Sequence, residues 1–119
     1  MEIAIPSEAP GGMGAAIYYH FGRCPYYTIV DTETGSVEIM KNESTHFGGE
    51  KLPPELLTDK GVKILLCSGI GARALSLFAD LGIKVYVGAE GTVKEAFEQW
   101  RSELLKLANE DDSCEEHKH

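Results

Sequence analysis

One stretch, residues 62–88, constrains the fold of this chain more than any other. It contains an almost continuous apolar run, Lys63–Ser68, which is typical of a strand covered on both faces. A glycine-containing turn then leads into an amphipathic helical pattern over Ala72–Leu81. Gly82 can end that helix, and Ile83–Val87 is a second strand rich in β-branched residues. Strand, helix and strand within about 30 residues predict a βαβ unit with parallel strands and a right-handed crossover.

The N-terminal third has the patterns of strands and loops. Glu2–Ile5 predicts a first strand that ends at Pro6, and the glycine- and proline-rich residues 6–16 predict a mobile loop. Tyr26–Asp31 and Ser36–Lys41 are apolar or alternating runs separated by a short turn. We therefore expect these two runs to form an antiparallel hairpin with one face toward the core.

Two further helices are expected. Pro53 and Pro54 suit the start of a short helix that stops at Gly61. Thr92 and Glu95 have the spacing of a capping box, which begins a longer helix ending near residue 109. The apolar stripe of this second helix consists of Val93, Ala96, Phe97, Trp100, Leu104 and Leu107.

These elements follow one another as β, loop, β-hairpin, α, β, α, β, α, without an internal repeat. That order predicts a three-layer α/β/α fold around a five-stranded mixed sheet. The hairpin supplies its N-terminal antiparallel part, and the βαβ unit supplies its parallel part. Residues 1–109 are expected to form a single domain, and residues 110–119 an acidic tail without stable structure.

Composition limits the partners. The net charge of −8 argues against nucleic acid, because phosphate contacts need clustered Lys and Arg side chains. No apolar run approaches the length of about 20 residues that spans a bilayer, so no membrane association is expected. The acidic N-terminal residues do not resemble a signal peptide, and three cysteines do not make a disulfide framework. These features favour a cytoplasmic protein.

The loops carry candidate soft ligands. His20 and Cys24 lie four apart on one predicted loop, and His46 lies on another. Loops at one rim of an α/β sheet can converge on one site, and thiolate with imidazole suits zinc, copper or iron–sulfur species. Two of these residues also have a structural interpretation: Cys24 as a turn residue, and His20 as a half-buried histidine. The polar, glycine-flanked loop around His46 gives that residue no packing role. Cys67, at the end of a buried strand, is expected to be a small core residue.

A second set of candidate ligands lies in the tail. Cys114, His117 and His119 form a compact triad with chelating spacing. Acidic tails are more often solvated appendages, and this spacing matches no closed zinc module. Metal binding by the tail and a purely solvated tail therefore both stay open.

The turn at Gly69–Gly71 offers a different kind of site. Gly69-x-Gly71-x-x-Ala74 resembles a dinucleotide-binding fingerprint, with Glu90 at about the spacing of a ribose contact. A tight turn explains the same glycines, and the fingerprint would sit on the fourth strand instead of the first. The amides at the start of the following helix could hold an anion such as a carboxylate or a cluster. The sequence contains no recognisable pairing of a nucleophile with a general base, so it does not indicate an enzyme.

Several of these motifs together resemble the nitrogenase iron–molybdenum cofactor biosynthesis family. This group includes small NifX-like and NifY-like carriers and the C-terminal domain of NifB. The resemblance covers about residues 2–108 and is most specific in the His-Phe-Gly-Arg segment and the Gly-Ile-Gly turn. The matching segments are Ile3-Ala4-Ile5-Pro6, His20-Phe21-Gly22-Arg23-Cys24-Pro25, Val30-Asp31, Asn42, His46-x-Gly48-Gly49, Gly69-Ile70-Gly71 with Ala74, and Leu81-Gly82-Ile83-Lys84-Val85.

The resemblance implies a ribonuclease H-like fold with a five-stranded mixed sheet and without ribonuclease activity. It implies a non-catalytic carrier that holds an iron–sulfur or iron–molybdenum-type cluster, or its precursor, and exchanges it with a donor or acceptor protein. The residues that would contact this cargo are His20, Arg23, Cys24, His46, Gly69 and Gly71. Zinc is a possible alternative metal. A regulatory or interaction domain that binds an anionic ligand at Gly69–Gly71 is the alternative function.

Overall fold

Six strands and three helices form the described part of the chain, in a computed structural model that describes residues 1–19, 23–42 and 53–108. In chain order they are β1 (Glu2–Ser7), β2 (Tyr26–Asp31), β3 (Val37–Lys41), α1 (Pro53–Asp59), β4 (Val62–Leu66), α2 (Ala72–Asp80), β5 (Lys84–Val87), α3 (Val93–Arg101) and β6 (Lys106–Leu107). The predicted hairpin, βαβ unit and capping box are all present.

The strands form one mixed sheet in the order β3-β2-β1-β4-β5-β6. β1, β4 and β5 are parallel, whereas β2 and β3 pair antiparallel beside β1. The predicted mixed sheet is therefore confirmed, but the predicted five strands are one too few. The sixth is β6, which pairs antiparallel with β5 and places Leu107 opposite Tyr86.

Helix α3 ends at Arg101, whereas the sequence predicted an end near residue 109. This earlier end allows Lys106 and Leu107 to form the sixth strand. The Leu104 amide donates to the Gln99 carbonyl (2.8 Å), and the Glu103 amide donates to the Trp100 carbonyl (3.0 Å). This pair of bonds is a Schellman motif, which requires a left-handed residue after the helix. Glu103 adopts that conformation, with φ 62°. The leucines that continue the helical spacing are consequently not a buried stripe, and Leu104 is 73% exposed.

Helix α2 ends in the same motif but with a glycine at the left-handed position. Gly82 has φ 78°, and Ile83 donates to the Phe78 carbonyl (2.9 Å). We expect Glu103→Gly to raise the free energy of unfolding by about 0.5–1 kcal/mol, because glycine adopts positive φ without a Cβ clash. Urea unfolding at pH 7 measures this change. Gly82→Ala is the reciprocal control and should destabilise by a similar amount; stability lost in Glu103→Gly would contradict the prediction.

The two faces of the sheet are covered by different helices, which is consistent with three layers. The first core lies under α1 and α2, where Leu57, Leu75 and Phe78 pack on the sheet. The second lies under α3, where Val93 and Ala96 pack on the opposite face. Alternate strand residues face the two cores, as the two-residue period of a strand requires. Strand residues of the first core include Ala4, Tyr27, Ile29, Leu65 and Val85, and those of the second are Ile3, Ile5, Ile64 and Leu66.

Strand β1 does not end at Pro6, as predicted, but continues to Ser7. The Pro6 carbonyl accepts from the Tyr18 amide (2.9 Å), so the Pro6 nitrogen also points away from β2. The amide hydrogen that proline lacks is therefore not needed for pairing with β2. Pro6 stays opposite Tyr27 in that ladder, and the chain at Ile17 bridges Ser7 on the other side.

The segment after β1 is bonded on several sides, although its composition predicts a mobile loop. The Gly12 amide donates to Thr28 Oγ1 (2.9 Å) on β2. The Met13 and Ala15 carbonyls accept from the first amides of α3 at 2.9 and 2.8 Å. The loop thereby provides part of the N-terminal cap of α3, and glycine content was a misleading sign of mobility.

Candidate functional site

A cleft of about 840 Å³ opens at the carboxyl ends of the parallel strands. Ligand sites of open α/β sheets lie at this edge, where neighbouring strands lead into diverging loops. One wall comes from the ends of β4 and β5, and the other from the chain that follows β1. The lining residues are Glu8, Ile17, Tyr18, Tyr19, Ser68, Gly88, Ala89, Glu90 and Gly91.

The antiparallel strands bring further loops to the same edge. β2 begins at Tyr26 opposite Ser7, the last residue of β1. β3 ends at Lys41, again opposite Tyr26. Arg23 and Cys24, which precede β2, and Asn42, which follows β3, therefore lie at the edge where the cleft opens.

Five predicted ligands fall outside the described residues. His20 follows directly after Tyr19, which lines the cleft, and His46 belongs to the segment that leaves β3 after Asn42. The tail residues are Cys114, His117 and His119.

Cys24 lies in the core, with its side chain only 2% exposed. Asn42, itself buried, donates from Nδ2 to the Cys24 carbonyl (2.8 Å) and lies 4.0 Å from its Sγ. Burial raises the pKa of the Cys24 thiol to about 11, which outweighs hydrogen bonds from Tyr27 and other neighbours. Metals bind the thiolate, so Cys24 in this position is a poor ligand. Arg23, in contrast, is exposed.

Cys67 is also buried and packs in the same core as Cys24 and Tyr27, in agreement with its expected structural role. Its Sγ lies 3.7 Å from the Tyr86 carbonyl of the neighbouring strand. Burial likewise raises the pKa of Tyr27 well above its usual range, and the two thiols add to this effect. The Cys24 thiol and the Tyr27 phenol are therefore uncharged at neutral pH.

The turn at Gly69–Gly71 leads from the cleft into α2. Gly71 is the N-cap of that helix and offers no side-chain hydrogen bond; its φ of −79° is accessible to any residue. The first turn of α2 contains no acid and includes the exposed Arg73. Helix α3 differs, because its first turn contains Glu95, whose carboxylate completes the capping box. The start of α2 is therefore the more electropositive of these two helix ends.

The wall Gly88–Gly91 was not identified as a unit from the sequence, in which only Glu90 was considered, as a possible ribose contact. Its backbone is bonded along its length: Ser68 Oγ donates to the Ala89 carbonyl (2.8 Å), and the Ala89 amide donates to the Cys67 carbonyl (3.1 Å). Gln99 on α3 bonds the Glu90 peptide twice, at 3.1 and 3.2 Å. Two glycines directly after a parallel strand, Gly88 and Gly91, were the available sequence signal.

Gly91 is needed at the junction of this wall with α3. Its φ is +91°, and a Cβ built there would lie 2.1 Å from Glu95 Oε1, which accepts the Thr92 amide in the capping box. We expect Gly91→Ala to lower the free energy of unfolding by about 2 kcal/mol, from left-handed strain and the disrupted cap. Urea unfolding measures this loss.

Gly14→Ala is the matched control for Gly91→Ala. Gly14 has no atom within 4 Å of a built Cβ. Its substitution should leave stability within about 0.5 kcal/mol of the parent. Equal effects of the two substitutions would contradict the assigned role of Gly91.

Two absences hold for the described ranges. No helix there is long and apolar enough to cross a membrane. Across residues 1–19, 23–42 and 53–108, no three His, Cys, Asp or Glu side chains are grouped so that they could hold a metal ion.

A mixed α/β sheet with a cleft at its carboxyl edge defines a ligand-binding α/β domain. Residues 1–103 match the model of one family, described as dinitrogenase iron-molybdenum cofactor. This match spans most of the chain, and the chain therefore belongs to the dinitrogenase iron-molybdenum cofactor family. The resemblance drawn from the sequence motifs is thereby confirmed.

Individual relatives agree with the family match. Uncharacterized protein MJ0580 of Methanocaldococcus jannaschii is 31% identical over 100 residues, which are 80% of each chain. A putative NifB protein from Thermotoga is 32% identical, with a TM-score of 0.75 over 89% of this chain and 91% of that one. The apo form of the orange protein from Desulfovibrio gigas is 26% identical, with a TM-score of 0.80 over 90% of this chain and 92% of that one.

Proposed function

We propose that this protein is a non-catalytic carrier of an iron–sulfur or iron–molybdenum-type cluster, or of a precursor of one. It would exchange this cargo with a donor or acceptor protein. The observation that carries the proposal is the cleft at the carboxyl edge of the sheet, where Arg23 and Cys24 before β2 and Asn42 after β3 also lie. Membership of the iron-molybdenum cofactor family gives the class of cargo.

His20 and His46 are the proposed ligands from the domain. His20 follows Tyr19, which lines the cleft, and His46 comes four positions after Asn42, the last described residue beyond β3. Neutral imidazole binds the metals of such clusters. Cys24 would have to leave the core and ionise before it could contribute, so it is not in the proposed set. Cys114 and the two tail histidines form a proposed second set, tethered to the domain.

Charge favours one side of the cleft for an anionic cargo. Arg73 and the amides following Gly69–Gly71 supply positive charge or donors at the beginning of α2, and Arg23 lies exposed before β2. Glu8 and Glu90 line the opposite parts of the cleft with carboxylates. The negative face of a cluster would therefore be oriented toward α2. Imidazoles must be neutral to bind metal, so loading should weaken as the pH falls toward about 6.

Anaerobic reconstitution tests the proposal. The full-length protein is incubated with iron and sulfide, and separately with zinc, before desalting, elemental analysis and visible absorbance. The variants are His20→Ala, His46→Ala and a chain truncated after residue 109. Cys24→Ala is the matched control, because it removes a soft ligand atom that the structure places in the core.

We expect iron and sulfide uptake by the full-length and truncated chains, loss of uptake in either histidine variant, and retention in Cys24→Ala. Uptake by the full-length chain alone would assign the cargo to the tail. If Cys24→Ala lost the uptake of iron and sulfide while both histidine variants retained it, the proposed ligands His20 and His46 would be overturned. No uptake of iron and sulfide by any form would overturn the carrier function.

A regulatory domain that binds an anionic ligand at the start of α2 is the second candidate function. The observation in its favour is the absence of a side-chain cap or first-turn acid there, together with Arg73. It predicts that phosphate or a nucleotide raises the melting temperature, and that Arg73→Gln reduces the increase. His46→Ala should leave that increase unchanged.

Two features of the proposal concern the fold. The ribonuclease H-like motif implied by the resemblance stays a prediction. The division into a domain of residues 1–109 and an acidic tail of residues 110–119 also stays a prediction, which limited proteolysis of the full-length chain can test.

A further inference from the structure

The wall Gly88–Gly91 lies beyond the regular sheet. β5 ends at Val87, and the antiparallel partner β6 pairs only with Tyr86 and Val87. No neighbouring strand of the described sheet is therefore in register with Glu90. The flanking glycines have φ of 97° and 91°, conformations in which a glycine peptide is easily reoriented. Backbone hydrogen bonds hold Gly88, Ala89 and Gly91, so Glu90 is the residue of the wall that depends on side-chain support.

Gln99 gives that support to the central peptide of the wall. Its Nε2 donates to the Glu90 carbonyl (3.1 Å), and its Oε1 accepts from the Glu90 amide (3.2 Å). The side-chain amide thus bonds both polar groups of one residue, as a strand partner would. Gln99 projects from α3, whose N-terminal end is fixed by Thr92 and Glu95. This pair of hydrogen bonds, here called the Gln99 clamp, therefore ties the wall to a rigid element.

We propose that Gln99 is a positioning residue of the cleft, which holds the Glu90 peptide in the shape that retains the cargo. This inference rests on the proposed carrier function. Gln99 acts through the wall and does not itself line the cleft. Glu90 does line it, so the orientation of that peptide sets where its carboxylate and backbone face the ligand. Loss of the two Gln99 hydrogen bonds should chiefly accelerate release, because Glu90 would no longer be held in one orientation against the bound cargo.

Two substitutions of Gln99 separate hydrogen bonding from packing. Gln99→Leu removes both hydrogen bonds. Gln99→Glu keeps the size and the acceptor, but at pH 7 it places a carboxylate oxygen against the Glu90 carbonyl. Glu98→Leu is the matched control, since Glu98 is the exposed neighbour of Gln99 on α3.

The first measurement is amide hydrogen exchange in the full-length, cargo-free protein. Exchange at Glu90 should be about tenfold faster in Gln99→Leu, which removes the acceptor of that amide, as expected for one lost hydrogen bond. Gln99→Glu keeps this acceptor and should show a smaller increase. Exchange in the central strands β1 and β4 should be unchanged. Unchanged exchange at Glu90 would overturn the proposal, because the clamp would then not hold the wall.

The second measurement is release of iron from the reconstituted full-length protein into an excess of chelator. We expect several-fold faster release from both Gln99 variants and parental release from Glu98→Leu. Parental release from Gln99→Leu and Gln99→Glu, with faster exchange at Glu90, would overturn the positioning role and leave the carrier function standing. If the parent protein takes up no cluster, the carrier function and this inference both fail.

Discussion

Above pH 9 the free energy of unfolding is expected to fall by about 2 kcal/mol, from the Cys24 thiol alone, before the pH reaches 11. The pKa of the buried Cys24 thiol is raised from 9.0 to about 11 by burial. Below pH 9 the thiol is protonated in both the folded and the unfolded protein. Its full contribution to the free energy of unfolding is therefore present there. Above pH 9 the unfolded chain loses the proton first, which favours unfolding at about 1.4 kcal/mol per pH unit. Tyr27 adds to the loss above pH 10, because its pKa is also raised by burial.

Urea unfolding at pH 7, 8, 9, 10 and 10.5 measures this dependence. Cys24→Ala is the control, because it removes the titrating group while keeping the backbone carbonyl that Asn42 binds. Its stability at pH 7 should be lower than that of the parent, but its slope between pH 9 and 10 should be flatter. Parallel slopes for parent and variant would show that Cys24 is not the group responsible.

Thr28→Val is expected to destabilise the protein by about 2–4 kcal/mol. The Thr28 side chain is fully buried, and its Oγ1 accepts from the Gly12 amide (2.9 Å) and contacts Ser7 Oγ (2.8 Å). Valine has nearly the same shape but no oxygen, so the Gly12 amide loses its acceptor on the sheet. Leaving such groups unsatisfied costs about 1–3 kcal/mol each. The segment between Glu8 and Ala16 should then detach from β2.

The measurements for this second prediction are urea unfolding at pH 7 and amide exchange at Gly12. Thr28→Ser keeps the oxygen and removes one methyl group, so it should cost only about 1 kcal/mol. Comparable losses in the two variants would mean that packing, and not the hydrogen bond to the loop, is what Thr28 contributes.

Features set by neighbouring residues could be predicted from the sequence. The βαβ unit, the hairpin and the capping box depend on contiguous patterns, and all are present. The end of α3 could not be predicted, because the left-handed position that usually indicates a helix end is filled by Glu103 and not by glycine. Pro6 was a misleading stop signal, since its nitrogen faces away from β2.

The candidate site was predictable only in outline. The edge on which the loops lie follows from strand order, which the βαβ unit and the hairpin partly determine. The burial of Cys24 depends on Asn42, 18 positions later in the chain, and no local pattern indicates this contact. The Gln99 clamp joins residues nine positions apart across a helix junction. Such pairings depend on the packed structure, and they are where the sequence interpretation was incomplete.

The central position of β1 has a consequence for the order of folding. β1 is the first strand of the chain but lies between β2 and β4, and Ile3 pairs with Ile64. The hairpin and the βαβ unit close over short loops, whereas this parallel pairing requires a long one, and long-range pairings form slowly. Two locally folded halves would therefore form first, and the opening strand would join them into one sheet as the slow step.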